Sequence, residues 1–187
     1  ERRGGRRGRG DDIHLLEGNP TSYEQLKIRY GNARLYRAPD PLPFLDRTVN
    51  LIHLSHVVEH LENDALYTLL KELDRVLAPD GILVISAPLA HPDFYNDLSH
   101  VRPYNPAVFL KYLVNGDATC TTRPLISAHY KKEELAFRHT PTELFPLRTL
   151  NNRLFRFFAY ACRALATKLG YRVYERTGFT LILRKTI

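Results

Sequence analysis

The stretch from residue 48 to residue 88 alternates between two hydrophobic patterns, and this alternation limits the possible folds most strongly. Residues 48–58, "TVNLIHLSHVV", and 82–88, "ILVISAP", are apolar and rich in β-branched side chains, which predicts strands buried on both faces. Between them, residues 62–79 repeat Leu and Val at helical spacing and then reach the turn sequence "PDG". Strand, helix and strand in this order predict a parallel sheet covered by helices.

The flanking sequence extends the same pattern in both directions. Strands are predicted at 13–17 and 33–38, with a helix over 21–31 that Thr21 or Ser22 can cap. Near the C-terminus, strands at 171–176 and 179–185 should meet near Thr177-Gly178 and include an antiparallel strand. Two further segments complete the prediction: a capped helix over 105–116 and one or two strands within 125–139.

A helix is predicted over about 149–169, and its two sides differ in character. Apolar residues at helical spacing are usually core, so we expect this side to pack on the domain. Basic residues on the opposite side, interleaved with aromatic residues, also suit contact with nucleic acid. The apolar positions are Leu150, Leu154, Phe157, Phe158, Ala161, Leu165 and Leu169; the basic ones are Arg153, Arg156, Arg163 and Lys168.

The chain is basic, with 27 Lys+Arg against 20 Asp+Glu and a net charge of +7, which favours an acidic partner. Residues 1–12 form a basic tail rich in Arg and Gly. This tail is either solvated or in contact with RNA or a ribonucleoprotein. Two cysteines, no secretory segment and no apolar run of membrane-spanning length predict a soluble protein of the cytoplasm or an organelle matrix, not a secreted one. The first residue is not Met, so we expect processing or a longer parent protein.

Residues 56–60 read "HVVEH", which resembles the motif of a zinc protease. That motif needs both histidines on one face of an established helix. His56 instead ends a strand pattern, and the capping residues of the next helix begin at Glu62. The two histidines are therefore predicted to straddle a strand-to-helix loop, and we expect no metal site there.

Residues 42–88 resemble the central segment of class I S-adenosylmethionine-dependent methyltransferases. The elements that carry the resemblance follow in order: "LPF", Asp46, "NLIHLS", "HVVEHL", "RVLAPDG" and "ILVISAP". Residues 96–113, "NDLSHVRPYNPAVFLKYL", are similar to a segment found after this strand in many members. The resemblance implies a Rossmann-like, mostly parallel sheet with flanking helices, and S-adenosyl-L-methionine as a small-molecule methyl donor.

The resemblance also implies roles for individual residues. Glu17, with Gly18 beside it, matches the acid at the end of the second strand that holds the ribose hydroxyls. Asp40 and Leu42 fall in the loop over which the adenine stacks, and Ser55 and His56 face the methionine moiety. The candidates for base or acceptor positioning are His100, Tyr104 and His56.

The first strand of the family and its glycine loop are not found in the sequence. "GGRRGRG" lacks a preceding strand and a following helix, and "LEGNP" places large residues where the loop needs small ones. We therefore expect a methyltransferase-like domain over 13–187 whose first strand is missing, with a variable acceptor side at 117–170. Two functions remain open: methyl transfer to an unidentified acceptor, or an inactive module that binds RNA or a ribonucleoprotein assembly.

Overall fold

The computed structural model describes residues 13–114, 123–142 and 153–187. The elements follow one another along the chain in a mixed α/β order. In that order they are β1 (Leu15–Glu17), α1 (Pro20–Tyr30), β2 (Ala33–Leu35), β3 (Val49–Ser55), α2 (Asn63–Val76), β4 (Leu77–Pro88), α3 (Pro106–Leu113), β5 (Tyr130–Thr142), α4 (Arg153–Lys168) and β6 (Val173–Lys185).

Local sequence explains how α1 and α2 begin and end. The side chain of Asn19, rather than Thr21 or Ser22, caps α1 by accepting hydrogen bonds from the two following amides, and Gly31 ends the helix in the left-handed conformation. α2 begins at Asn63, as predicted, and buries its leucine face. It ends at Val76, earlier than "PDG", because Leu77 already pairs with β3 and the turn residues loop out before Ile82.

The strands form two sheets. β1 and β2 pair in parallel, and the larger sheet has the order β3-β4-β6-β5. β3 and β4 are parallel, whereas β6 runs antiparallel to both β4 and β5. The predicted α/β class with terminal antiparallel strands is confirmed, with antiparallel pairs as frequent as parallel ones. Within the described ranges β3 pairs with β4 alone and is separate from β1.

The C-terminal strand prediction is wrong in one respect. Residues 173–185 form a single strand, β6, instead of two strands that meet near Thr177-Gly178. Gly178 lies inside this strand, where a side chain would not fit. A Cβ at this position would come within 2.7 Å of the Arg138 side chain and 3.1 Å of Ala87 O. The glycine therefore permits close packing between three strands and does not form a turn.

One core holds the larger sheet and α2 together. The buried face of α2 packs on β4 and β6, and α3 contributes Phe109 and Leu113. Leu16 and Tyr36 pack against the same cluster, which joins the small sheet to the large one. A further link is the ring contact between His14 and Phe44, whose centroids are 5.3 Å apart.

The expected packing of the C-terminal helix is wrong. The large apolar side chains of the predicted stripe that lie within α4 or directly after it are exposed, each by 59–69%. The beginning of the predicted helix, residues 149–152 with Leu150, lies outside the described residues. Periodicity indicated an amphipathic helix correctly, but it does not reveal which surface covers the apolar side. In the described parts of the chain, no helix has the length and apolarity needed to cross a bilayer.

Candidate functional site

The first candidate group lies at the carboxyl end of β1. Glu17 Oε1 accepts a hydrogen bond from Asn19 N–H at 2.8 Å, and Glu17 O accepts one from Tyr36 N–H at 3.0 Å. A Cβ on Gly18 would lie 3.3 Å from Tyr36 O, so the chain passes close to the end of β2 here. The carboxylate of Glu17 is therefore held at the sheet edge, with Oε2 free of protein partners among the described residues.

Asp40 and Leu42 lie in the segment between β2 and β3. The carboxylate of Asp40 is exposed, and its backbone oxygen accepts a hydrogen bond from Tyr36 Oη at 2.7 Å. Burial raises the pKa of Tyr36 to about 12, so its hydroxyl remains a donor at neutral pH. Leu42 is buried, and its N–H donates to Glu72 Oε2 at 3.0 Å. These bonds fix the backbone of the segment while Asp40 faces solvent.

Ser55 and His56 follow at the carboxyl end of β3, and both are exposed. His56 N–H donates to Ser86 O of β4 at 2.9 Å, and His56 has a left-handed backbone with φ of 54°. Strained non-glycine residues of this kind cluster at functional sites. This backbone turns the chain out of the sheet and into a single 3₁₀ turn at Val58–His60.

A buried carboxylate orients the imidazole of His56. His56 Nδ1 lies 2.9 Å from Glu59 Oε1; the histidine side chain is 50% exposed and the glutamate side chain is fully buried. When the carboxylate accepts, Nδ1 carries the proton and Nε2 is left as a proton acceptor. The pair is therefore arranged as an oriented base at the edge of the sheet.

His100 and Tyr104 lie on the segment that precedes α3. His100 Nδ1 lies 2.7 Å from Phe94 O, and its ring contacts that of His60 with centroids 5.1 Å apart. Tyr104 is buried, and its hydroxyl donates to Leu61 O at 2.9 Å. Burial raises the pKa of the Tyr104 hydroxyl, which keeps it protonated. Both side chains fasten this segment to the loop between β3 and α2.

A possible metal-ligating group is present, and it differs from the one that "HVVEH" suggests. Of the described residues, Glu59, His60 and His100 each offer one ligand atom within 4.8 Å of the others. His56 is not part of this group. A zinc protease uses both motif histidines as ligands, so the hydrolase interpretation loses one of them.

We expect purified protein to contain no stoichiometric zinc, because only one of the two motif histidines, His60, belongs to the group. Elemental analysis of the chain and of His60→Ala checks this expectation. One zinc per chain that disappears in the variant would contradict it.

The structure brings Ser55, His56 and Glu59 together at one strand end, and it places Glu17 at the end of another. Sequence reasoning did not identify the bond between Glu59 and His56. The available signal was the spacing of three residues from His56, which brings the two side chains together only when a 3₁₀ turn follows β3.

Comparisons with known proteins bear on the fold that carries these residues. The family described as "Methyltransferase domain" matches residues 6–85. An S-adenosylmethionine-dependent methyltransferase from Archaeoglobus fulgidus is similar in structure, with a TM-score of 0.59 and 19% identity over 91% of this chain and 74% of that one. A methyltransferase structure from Bacillus halodurans gives 0.53 and 15% over 91% and 81%.

A Haloferax volcanii methyltransferase, solved in complex with the activator Trm112, gives a TM-score of 0.52 and 14% identity over 91% of this chain and 70% of that one. No curated protein matches the sequence significantly. At these identities the solved structures establish the fold. The predicted resemblance to methyltransferases is confirmed at the level of the fold: the chain has the Rossmann-like fold of these structures, and residues 6–85 match the methyltransferase domain.

Proposed function

We propose that the chain is a methyltransferase that uses S-adenosyl-L-methionine and that His56 acts as its base. The observation that carries the proposal is the His56–Glu59 pair at the carboxyl end of β3. In open α/β sheets, ligands bind in the crevice beyond the carboxyl ends of the strands. An oriented base at that edge, in a fold shared with methyltransferases, fits transfer to an acceptor that must lose a proton.

The residues at the edge fit the proposed donor. Glu17 Oε1 is held by Asn19, and Oε2 remains available to accept from a ribose hydroxyl. Gly18 allows the chain to pass close to Tyr36, Leu42 is buried in the segment before β3, and the exposed Asp40 would offer a second acceptor for the adenine. Ser55 and His56 would face the methionine moiety. When bound, the donor supplies an electrophilic methyl group on a sulfonium.

Proton movement follows from the tautomer of His56. His56 Nε2 would take the proton that the acceptor atom loses on methylation. Glu59 holds Nδ1–H and stabilises the imidazolium that results. His100 and Tyr104 position the loop that carries Glu59, because both contact the 3₁₀ turn region from the other side.

Replacement of Glu17 by Ala tests donor binding. The loss of a charge-assisted hydrogen bond costs about 1.5–3 kcal/mol, so affinity for S-adenosylhomocysteine should fall roughly 10- to 150-fold in calorimetry. Glu17→Gln keeps an acceptor for Asn19 N–H and separates the loss of charge from a disturbed turn. The control is Glu24→Ala, which removes an exposed acid of α1 and should leave affinity unchanged.

Two results would count against the proposal. Equal affinity in wild type and Glu17→Ala would remove Glu17 from the site. No heat and no thermal shift with either S-adenosylmethionine or S-adenosylhomocysteine would reject donor use altogether, since a ligand that binds the native state must stabilise it. The inactive RNA-binding module would then be the better description.

A further inference from the structure

The exposed apolar side of α4 consists of large side chains on one helix. We call Phe155, Phe157, Phe158, Leu165 and Leu169 the α4 apolar face; each is 59–69% exposed. Among the described residues, the hydrophobic core draws no member from α4. Single exposed apolar residues are ordinary, but a contiguous patch of this kind marks an interaction surface.

The charges around this face have one sign. From residue 144 to residue 174 the sequence contains six Lys or Arg and no Asp or Glu. Elsewhere in the chain acids are common; α2, for example, carries Asp64, Glu72 and Asp74. By its sequence α4 carries four basic residues and no acidic one, so the helix combines an apolar face with positive charge only. A partner that is both apolar and anionic matches both features.

We propose that α4 binds the surface of an anionic lipid bilayer, with the α4 apolar face among the acyl chains. A basic polar side opposite a Phe- and Leu-rich side is the pattern of helices that lie in the plane of the membrane interface. Nucleic acid satisfies the charge and can stack on aromatic rings, but it leaves Leu165 and Leu169 in water. A second copy would bring two acid-free basic helices together, which charge repulsion opposes.

The end of the helix continues this surface. Gly170, with φ of 79°, ends α4, and Tyr171 N–H donates to Ala166 O at 2.9 Å. Tyr171 and Tyr174 that follow are both more than half exposed. Tyrosine rings favour the headgroup level of a bilayer, where one end of the side chain is apolar and the other is hydrated.

The sheet fixes which end of the molecule would meet the lipid. Pro88, the last residue of β4, pairs with Gly178, whereas β5 and β6 continue to pair as far as Thr142 and Val173. The antiparallel pair of β5 and β6 therefore extends beyond the carboxyl end of β4, and α4 precedes the outer end of β6. Bound lipid would lie at the same edge of the sheet as His56. The lipid surface itself does not depend on methyl transfer.

Co-sedimentation with vesicles tests the proposal. The full chain should sediment with vesicles that combine phosphatidylglycerol and phosphatidylcholine, and much less with phosphatidylcholine alone, and added salt should release it. The double variant Phe157→Ser, Phe158→Ser should lower the partition coefficient about tenfold or more, because two buried rings are lost. Lys168→Gln should lower it about fivefold.

The matched control is Ile28→Ser. Ile28 is exposed on α1 between Lys27 and Arg29. This substitution removes an apolar side chain from another helix that carries basic residues, and lipid binding should not change. Circular dichroism and thermal melting confirm that the serine variants fold, since the changed residues are exposed. The calorimetric titration with S-adenosylhomocysteine is independent of these changes, so failure of one proposal leaves the other measurable.

Several results would overturn the lipid proposal. One is equal sedimentation with both vesicle types, or lipid binding that survives the double serine change. A second is that the chain binds an oligoribonucleotide more tightly than it binds anionic vesicles, and that the double serine change abolishes this RNA binding. A third is self-association without lipid that the same changes abolish, which would assign the face to a second copy of the chain.

Discussion

Asp74→Ala is expected to lower the free energy of unfolding by about 3 kcal/mol, because it leaves a cation buried without its counter-ion. The partner is Lys185, near the end of β6, whose side chain is only 6% exposed and whose Nζ lies 3.1 Å from Asp74 Oδ1. Nζ also donates to Asp74 O at 2.5 Å and to Leu77 O at 3.3 Å, and these two bonds survive the change. They place the expected cost at the low end for a broken buried pair.

Urea unfolding at neutral pH measures this cost, and the neighbouring residue of β6 supplies the control. Arg184 pairs with Glu133 at 3.0 Å, but both side chains are at least one-third exposed. Glu133→Ala should therefore cost no more than about 1 kcal/mol. Equal losses for Asp74→Ala and Glu133→Ala would show that burial does not set the strength of the Lys185 pair.

Arg75→Met is expected to cost about 2–3 kcal/mol, because one guanidinium satisfies several groups of the segment before β3. Arg75 donates to Leu42 O at 3.2 Å and to Phe44 O at 3.0 Å, and it pairs with Glu72 and Asp46 at 2.7 Å each. Asp46→Asn breaks the more exposed of the two ion pairs and should cost much less. Urea unfolding of both variants checks the difference.

The same pair predicts how stability depends on acid. The Arg75 hydrogen bond lowers the pKa of Glu72. The stability that this shift contributes is present above the ordinary pKa that Glu72 has in the unfolded chain, and it is lost as the pH falls through the lower pKa of the folded protein. Arg75→Met should remove this part of the acid sensitivity. A parallel fall of stability with acid in wild type and variant would contradict the assignment.

The order of strand, helix and strand around α2 could be predicted because the hydrophobic period changes clearly from β3 to α2. The arrangement of the strands in the C-terminal third of the chain could not be predicted. Gly178 resembled a turn residue, although it serves the close packing of β6 against Arg138 and Ala87. A glycine in an extended pattern indicates either arrangement until the neighbouring strands are known.

Glu17 and His56 could be named from the strand pattern and the family resemblance, because each follows the carboxyl end of a predicted strand. The structure places them at the ends of strands in two different sheets. Glu59 could not be given its partner, because that contact needs the left-handed backbone of His56 and the 3₁₀ turn after it. The exposure of α4 could not be predicted either, because periodicity identifies the apolar side of a helix but not the surface that side packs against.

The position of β6 in the sheet has a consequence for the order of folding. β6 follows every other element along the chain, yet it lies between β4 and β5, with Ile82 paired to Arg184. β4 therefore has no partner on that side until the C-terminal strand has left the ribosome. Such non-local pairing slows folding, because the loop must close before its contacts are gained. During synthesis, β3, α2 and β4 must wait as an incomplete unit, and a chain cut before residue 173 would keep β4 open to aggregation.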